Sequence, residues 1–326
     1  MRRRPLYKAY SSEDDEYWSK LGFQALNHID KNTHCIPQHN TTRFLELGCV
    51  SLFTYSFLKW CSCFQSCCPG GFAHYILRRN PNAQGVGVSL DPEMGGSGLT
   101  IPFPELERFK MHWSDLTYLA ICAPGIPPLP PGGVALSPLP FDPTGFRVVI
   151  LDGMYRNPPQ ELNSHPWDMD RLLIAQLIIG LECLDGGGTL LVKFNHLESV
   201  VTAQLVYMLD VLSKRVIAFK PFLHATRGSF YAVATGVGLE RKNYLKNLKT
   251  VWWNLTYDGP KGEGRYLKEE DLNFIVEFET LEESYLERLI ELGRGAWRAQ
   301  SKALRRTYKR IRARHEFEFD NHDILM

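Results

Sequence analysis

The sequence lacks a charge excess of either sign, an internal repeat and a secretion-signal core. Lys plus Arg number 37 against 36 Asp plus Glu, which gives a formal net charge of +1 at pH 7. A chain this close to neutrality has no global electrostatic signature for nucleic acid, so any such contact has to come from a local cluster. Residues 2–4 are arginines and residues 13–16 are acidic, with no apolar core between them. We therefore expect the cytoplasm or the nucleus, and no membrane contact.

The cysteines do not have the pattern of a disulfide framework or of a zinc site. The chain has eight, and four of them are crowded into one short segment as Cys61, Cys63, Cys67 and Cys68. Zinc ligands usually come as two separated pairs, so this run predicts no metal site. With 326 residues and 44% hydrophobic content, the chain is long enough to bury one α/β core plus an appendage.

The most informative feature is a motif in two pieces. Residues 45–49 read LELGC and residues 68–72 read CPGGF, so deletion of residues 50–67 would join them as LELGCCPGGF. This string has the form of a buried strand that runs through a glycine turn into a helix, where α/β sheets receive nucleoside cofactors. Glycines at such a turn let the backbone approach a ligand.

The intervening segment, residues 50–67, is apolar and cysteine-rich with neither a helical nor an alternating period. Our hypothesis is that it is translated intron sequence, and the sequence of the mature transcript tests this. A thiolate metal site is the first alternative. A membrane span is the second, and Lys59 and several hydroxyl residues argue against it.

Further strands and helices follow in an order typical of a parallel sheet. Residues 85–90 read as a buried strand, residues 109–112 as a third, and residues 146–151 as one that ends on Asp152. A helical period covers residues 167–185 and stops at three glycines. Residues 189–194 form another apolar strand, which carries Lys193 near its end.

Residues 20–236 resemble the FtsJ-like (RrmJ-like) family of S-adenosylmethionine-dependent ribosomal RNA 2'-O-methyltransferases. LELGC with CPGGF is similar to the family's cofactor loop, ILDG at 150–153 to its acidic strand end, and GGTLLVK at 187–193 to its lysine strand. Lys220, Pro221, Arg227 and FYAVATG at 230–236 are similar to its closing strands. The resemblance implies a Rossmann-like fold of seven strands, mostly parallel with an antiparallel last strand. It also implies S-adenosylmethionine as cofactor, RNA as partner, no DNA, and a role in RNA methylation such as rRNA processing.

The family uses a Lys-Asp-Lys-Glu tetrad, and the chain matches it in part. Asp152 and Lys193 correspond residue by residue. For the first lysine we select Lys20, with Lys31 in reserve, and the glutamate position holds Ser229. A lysine ammonium aimed at the attacking oxygen stabilises its developing charge, and Asp152 would orient Lys193. Since serine carries no charge, we expect reduced catalysis or a rearranged site.

The cofactor contacts that the resemblance implies lie mainly in the glycine loop. Ser89 or Asp91 would bind the ribose hydroxyls and Asp115 the adenine edge, and the alternative for each is a turn residue or a helix cap. The full predicted set is Glu46, Gly48, Cys68, Pro69, Gly70, Gly71, Phe72, Ser89, Asp91, Asp115 and Asp152.

The predicted domain organisation has three parts. An N-terminal helical segment covers residues 1–40, the methyltransferase domain residues 41–237, and a basic helical extension residues 238–326. Within the domain, residues 122–145 form a proline-rich surface loop. In the extension we predict helices at 239–253 and 281–314, the second with a break at Gly293 and Gly295.

The last helix carries a local basic field. Residues 294–314 include nine Lys or Arg and no acid, and six of them share one helical face: Arg294, Arg298, Lys302, Arg305, Lys309 and Arg312. We call these six residues the basic stripe. We expect Trp297, Leu304, Tyr308 and Ile311 to face the body. An RNA-phosphate contact and a solvated helix face are both open interpretations.

Three functions remain in view. The preferred function is methyl transfer to an RNA ribose 2'-hydroxyl. A non-catalytic domain of the same fold that binds RNA or acts as a scaffold is the alternative, which Ser229 and the divided loop favour. A methyltransferase for a small metabolite is the third.

Overall fold

The fold is described from a computed structural model. The structure describes residues 12–38, 42–48, 70–94, 96, 98–121, 136–153 and 165–322. The segment at 50–67, Cys49, Cys68, Pro69 and residues 122–135 of the proline-rich loop lie outside these ranges. Among the described residues, no helix is both long and apolar enough to cross a bilayer.

The described residues form seven strands and seven α-helices. The first half contains α1 (Ser12–Thr33), β1 (Arg43–Leu47), α2 (Gly71–Arg79), β2 (Gln84–Ser89), β3 (Phe109–Trp113) and β4 (Phe146–Leu151). The second half contains α3 (Asp168–Cys183), β5 (Leu184–Asn195), α4 (Val200–Leu212), β6 (Arg215–Phe219), β7 (Ser229–Val237), α5 (Lys242–Tyr257), the short α6 (Phe278–Thr280) and α7 (Leu286–His322). A π-helical turn, Leu281–Tyr285, joins α6 to α7.

The strands form one seven-stranded sheet in the order β3-β2-β1-β4-β5-β7-β6. All neighbours pair in parallel except β7, which is antiparallel to both β5 and β6. The predicted fold is therefore confirmed. The chain builds outward in one direction from β1 to β3 and in the other direction from β4, so the strand order reverses between β1 and β4. Ligand sites of open α/β sheets lie at this reversal, beyond the carboxyl ends of the strands.

Helices cover both faces of the sheet, and successive strand residues alternate between two cores. In β1, Leu45 and Leu47 join the core beneath α3, α4 and α5, whereas Phe44 joins the core beneath α1 and α2. In α3, Leu177 and Ile178 are fully buried. Both faces of the central strands are therefore dry, which makes the strand ends the place where polar side chains reach a cleft.

The predicted helical break near residue 293 was wrong. The helix α7 runs through both glycines without interruption. A Cβ on Gly293 would lie 2.6 Å from the Trp297 ring and 2.7 Å from Cδ2 of Leu197. Glycine at 293 thus permits close packing of the helix on the domain, and the helix stays continuous through it.

The predicted inward face of this helix was also wrong for three of its four residues. Trp297 is half-buried, but Leu304, Tyr308 and Ile311 are exposed, Tyr308 at 66%. A helix of 37 residues is about 55 Å long, and its residues from 298 to 313 are all exposed or half-exposed. The second half of α7 therefore extends beyond the domain, where there is no core to cover its apolar side chains.

Candidate active site

The ends of β1 and β4 touch at the point where the strand order reverses. The backbone N–H of Asp152 donates to the Leu47 carbonyl at 3.1 Å. Gly48 follows with φ +87°, and a Cβ there would lie 2.1 Å from Cα of Gly153. Glycine at 48 is therefore required by the approach of two strand ends as well as by its left-handed conformation.

Asp152 and Lys193 form a buried ion pair on adjacent strands. Leu151 of β4 pairs with Val192 of β5, so the next residue of each strand is also adjacent. Nζ of Lys193 lies 3.3 Å from Oδ1 of Asp152, and the two residues are only 5% and 3% exposed. The structure thus brings together the two tetrad residues that matched the family residue by residue.

Tyr231 completes this pair from a third strand. It lies opposite Lys193 in the β5–β7 register, and its hydroxyl donates to Oδ1 of Asp152 at 2.6 Å. Sequence reasoning included Tyr231 in a motif but gave it no role in the site. Its position directly opposite Lys193 explains the contact, and only the antiparallel register could have revealed it.

The pair has the electrostatics that charge stabilisation needs. Removing one partner of a buried ion pair typically costs about 3–5 kcal/mol, because the other charge stays buried without compensation. In a water-excluded site, an ammonium acts on a developing negative charge more strongly than it would in water. Lys193 is therefore suited to stabilise an attacking oxygen, with Asp152 holding it in place.

Glu46 lies near the end of β1, and its side chain reaches the first turn of α2. Its Oε2 accepts from the backbone N–H of Ala73 at 3.0 Å, in the first turn of the helix, where N–H groups lack helical partners. Burial raises the pKa of Glu46 to about 8; the negative charge of Asp152 adds to the rise and the Ala73 hydrogen bond opposes it. The carboxyl group of Glu46 therefore connects the first turn of α2 with the charge of Asp152.

The described half of the glycine loop leads into α2. Gly70 has φ +83°, and a Cβ there would lie 2.6 Å from Ile101 and 2.8 Å from Leu99. Gly71 begins α2, and the Phe72 ring lies 6.0 Å from that of Tyr231. Phe72 therefore forms part of the wall beside the ion pair. The predicted contacts Cys68 and Pro69 fall outside the described residues.

Gln176 braces the loop after β4, which sequence reasoning did not foresee. Its side chain accepts from the Gly153 N–H at 2.8 Å and donates to the Gly153 carbonyl at 3.1 Å. The two bonds fix the backbone directly after Asp152. A fully buried glutamine within the otherwise apolar face of α3 was the available signal, because such a group needs polar partners.

The three candidates beyond β2 and β3 make local contacts. Asp91 accepts from the Glu93 N–H, and Asp115 accepts from the N–H and hydroxyl of Thr117. These are the turn and cap roles that the sequence left open as alternatives. Ser89 ends β2 fully buried, and its hydroxyl makes a long 3.4 Å contact with the Leu90 carbonyl.

Lys20 does not join the ion pair in this structure. It is exposed on α1 and forms a salt bridge with Glu16 at 3.0 Å, and the reserve residue Lys31 is also exposed on α1. Ser229 lies at the start of β7 opposite Asn195, two pairs beyond Tyr231 and Lys193 and therefore on the same side of the sheet. The serine is therefore placed where a longer carboxylate side chain would point along the same face.

Lys220 holds the segment before β7 in place. Its Nζ donates to the carbonyls of Arg227 and Ser229 at 2.5 and 2.6 Å. Burial lowers its pKa to about 8, a change that the more distant Glu198 opposes. The lysine thus closes the loop from 220 to 229 over the end of the sheet, next to the ion pair.

Comparison with known proteins identifies a family model that matches the chain. The family model described as FtsJ-like methyltransferase matches residues 65–236, just over half of the chain. No curated protein sequence matches. Among solved structures, the pyocyanin biosynthetic protein PhzM is similar at 13% identity and a TM-score of 0.33, over 66% of this chain and 55% of that one. The human methyltransferase-like protein 13 in complex with SAH is similar at 11% identity and a TM-score of 0.36, over 74% and 93%.

Proposed function

Because the chain belongs to the FtsJ-like methyltransferase family, we propose that it transfers a methyl group from S-adenosylmethionine to a ribose 2'-hydroxyl of RNA. The observation that carries the proposal is the buried Asp152–Lys193 pair. It lies at the strand ends on one side of the order reversal, where open α/β sheets bind nucleoside ligands. The same edge carries the glycines of the cofactor loop.

The residues at this edge fit the proposed cofactor. When bound, S-adenosylmethionine supplies an electrophilic methyl group on a positively charged sulfur. Asp152 and Glu46 contribute acidic groups close to the glycine turn, and Gly48 and Gly70 keep the backbone there free of side chains. A cation is favoured beside such carboxyl groups, since an opposite charge stabilises their ionised form.

Lys193 would act on the acceptor oxygen. An in-line displacement needs the reacting atoms held in line, so a rigid site contributes much of the rate through orientation. Asp152 and Tyr231 fix the lysine, because their contacts come from the neighbouring strands on its two sides. The ammonium group then offsets negative charge on the oxygen in the transition state.

The basic stripe on α7 would bind the phosphates of the RNA. All six of its members are exposed, and acidic residues are absent from residues 294–314. Single cations at a surface contribute little by themselves, but a line of them releases several counterions from a polyanion together. The near-zero net charge of the whole chain makes this local field the favoured contact for RNA.

Calorimetric titration with S-adenosylmethionine tests the proposal. We expect binding by the form that lacks residues 50–67, and weaker or no binding by the full chain. Equal binding by both forms would show that the segment lies outside the site. Transfer of labelled methyl to capped, ribosomal or transfer RNA, in a position protected from alkaline hydrolysis, identifies the 2'-oxygen as acceptor.

A non-catalytic module that binds RNA or acts as a scaffold is the second candidate. The observation that favours it is Ser229, which leaves the family's glutamate position without a carboxylate. Under this alternative, the basic stripe binds RNA while no form of the protein transfers methyl to any of the three RNA classes. Cofactor binding without transfer would therefore decide for the module.

A further inference from the structure

His224 is a buried imidazole that the tetrad does not include. It ends a short 3-10 turn, Phe222–His224, in the loop that Lys220 closes. The residue is 7% exposed, and within the described parts of the chain its Nδ1 has no hydrogen-bond partner. The loop itself is well anchored, since the His224 N–H donates to the Pro221 carbonyl and its carbonyl accepts from Arg227.

The ring of His224 lies close to Tyr231, the tyrosine that contacts the ion pair. Its centroid lies 6.2 Å from that of Tyr231, whose hydroxyl binds Asp152. Three cations act on it, in decreasing order Lys193, Arg227 and Lys220. Burial and these charges lower the pKa of His224 to about 2, so the imidazole is neutral and carries its proton on one nitrogen. With Nδ1 unpartnered, that nitrogen is a free acceptor in the Nε2–H tautomer.

A buried polar atom without a partner is costly. Leaving such an acceptor unpaired typically costs about 1–3 kcal/mol, and native structures contain few of them. Two of the three cations around the ring have other partners: Lys193 binds Asp152 and Lys220 binds two carbonyls. No donor among the described residues satisfies Nδ1, so a hydroxyl group of a bound ligand would remove this cost.

We propose that Nδ1 of His224 accepts a hydrogen bond from the substrate hydroxyl that is to be methylated. The same nitrogen receives the proton of this hydroxyl during methyl transfer. The inference rests on the proposed function and adds a catalytic residue to it. The substrate oxygen gains the methyl carbon while the carbon–sulfur bond breaks and its electron pair stays on sulfur. The hydroxyl proton passes from the oxygen to Nδ1 and then to water.

The division of labour follows from the charges. Lys193 forms an ion pair with Asp152, and an ammonium group has no free electron pair with which to accept a proton. His224 is neutral and has one. A weak base is adequate here, because the hydroxyl becomes strongly acidic once its oxygen has bonded to the methyl carbon.

The same contact would select ribose. A 2'-hydroxyl donates to Nδ1, whereas a 2'-deoxyribose has no donor and a methylated ribose has lost it. A site with a buried acceptor rejects analogues that lack the matching donor, because the acceptor is then left unpaired. Product release is favoured for the same reason.

Three substitutions separate the two roles of the imidazole. His224→Phe removes the acceptor and keeps a ring. His224→Asn keeps an acceptor near Nδ1 but cannot take a proton. His74→Gln, on α2, is the matched control for loss of a partly buried histidine. Each variant is first compared with wild type by thermal unfolding and by S-adenosylmethionine calorimetry, so that a folding defect is recognised.

The readouts are methyl transfer to the best acceptor RNA and the affinity for short versions of it with a 2'-hydroxyl, 2'-deoxy or 2'-O-methyl group at the target. We expect H224F to lose about 100-fold in rate, as for a general base, and to lose the preference for ribose. H224N should lose rate but keep the preference. If wild type transfers methyl and both variants transfer it at the same rate, the inference about His224 is overturned and the proposed function stands. If wild type transfers no methyl, both the inference and the proposed function are overturned. Should H224F not fold, a rate in folded H224N equal to that of wild type overturns the proton transfer.

Discussion

The protein carries its functional charge in two regions with opposite physical character. At the sheet edge, Asp152, Lys193 and Glu46 are buried, and each of the three has a defined partner. On the second half of α7, the basic stripe is exposed and follows helical spacing. The first region has few charges in fixed geometry, and the second has many charges in loose geometry.

This difference teaches which effects to expect in each region. Two charges 4 Å apart interact with about 4 kcal/mol near a protein surface of effective dielectric 20, and with about 1 kcal/mol in bulk water. Interactions between exposed charges more than about 10 Å apart are also largely screened at 0.1 M salt. A single change at the sheet edge should therefore act strongly and independently of salt, whereas changes on α7 should act additively and lose their effect in salt.

Lys193→Ala is the largest expected effect. We predict a loss of methyl transfer of about 10²- to 10³-fold, the usual cost of removing one transition-state donor, with little change in S-adenosylmethionine affinity. Single-turnover transfer and calorimetry measure the two quantities separately. Lys193→Arg should not restore the rate, because the planar guanidinium needs different room.

Lys246→Ala, an exposed lysine on α5, is the matched control for Lys193→Ala. It should behave as wild type. If transfer survives in Lys193→Ala, the ion pair has only a structural role. The strong effect that we expect at the sheet edge is then absent. A thermal unfolding curve is needed alongside, since removal of Lys193 leaves Asp152 buried without its cation.

Charge reversal on the basic stripe tests the smaller, salt-dependent effects that we expect on α7. Lys302→Glu with Arg305→Glu should weaken RNA binding and reduce the slope of log affinity against log salt by about 1.4 for single-stranded RNA. Arg306→Glu with Arg310→Glu changes the charge equally on another side of the same helix and should have a smaller effect. Equal effects of the two pairs would mean that RNA responds to the total charge of α7 and not to the stripe. Filter binding at several salt concentrations makes the measurement.

The sheet edge was largely predictable from the sequence. A parallel sheet places successive strand ends on one edge, so Asp152 after one strand and Lys193 near the end of another had to be neighbours. Tyr231, Gln176 and His224 were not predicted, because their contacts depend on antiparallel register, helix rotation and loop packing. None of these is encoded in local spacing.

The C-terminal helix was predictable in type but not in its surroundings. Its periodicity correctly indicated a helix with one basic face, yet a helical period does not say where the domain ends. Leu304 and Tyr308 therefore read as inward-facing although the helix had already passed the core. Similarly, Gly293 read as a break, because its close approach to Leu197 comes from tertiary packing.

Ser229→Glu should sharpen the comparison by adding a carboxylate on the face of β7 that carries Tyr231. If the missing counter-charge limits the rate, we expect an increase of about tenfold, which corresponds to about 1.4 kcal/mol of barrier. Ser229→Gln is the control of equal size without charge. A rise in both variants would assign the effect to packing, and no rise in either would mean that the glutamate position is dispensable in this chain.

Glu46→Gln has the smallest effect and concerns stability. The pKa of Glu46 is raised from 4.5 to about 8, so between these values the folded state binds a proton that the unfolded state does not. Unfolding then releases a proton, and the free energy of unfolding falls as pH rises from about 4.5 to about 8. A glutamine at 46 imitates the protonated carboxyl group and removes this dependence.

We therefore expect denaturant unfolding of Glu46→Gln to be less sensitive to pH than that of wild type, with a relative gain in the free energy of unfolding of about 1 kcal/mol or more at pH 8. Glu16→Gln, an exposed carboxylate on α1, should leave the wild-type dependence in place. If Glu46→Gln instead loses stability at pH 8, the Ala73 hydrogen bond to the charged carboxylate outweighs burial, and Glu46 is an ionised cap of α2.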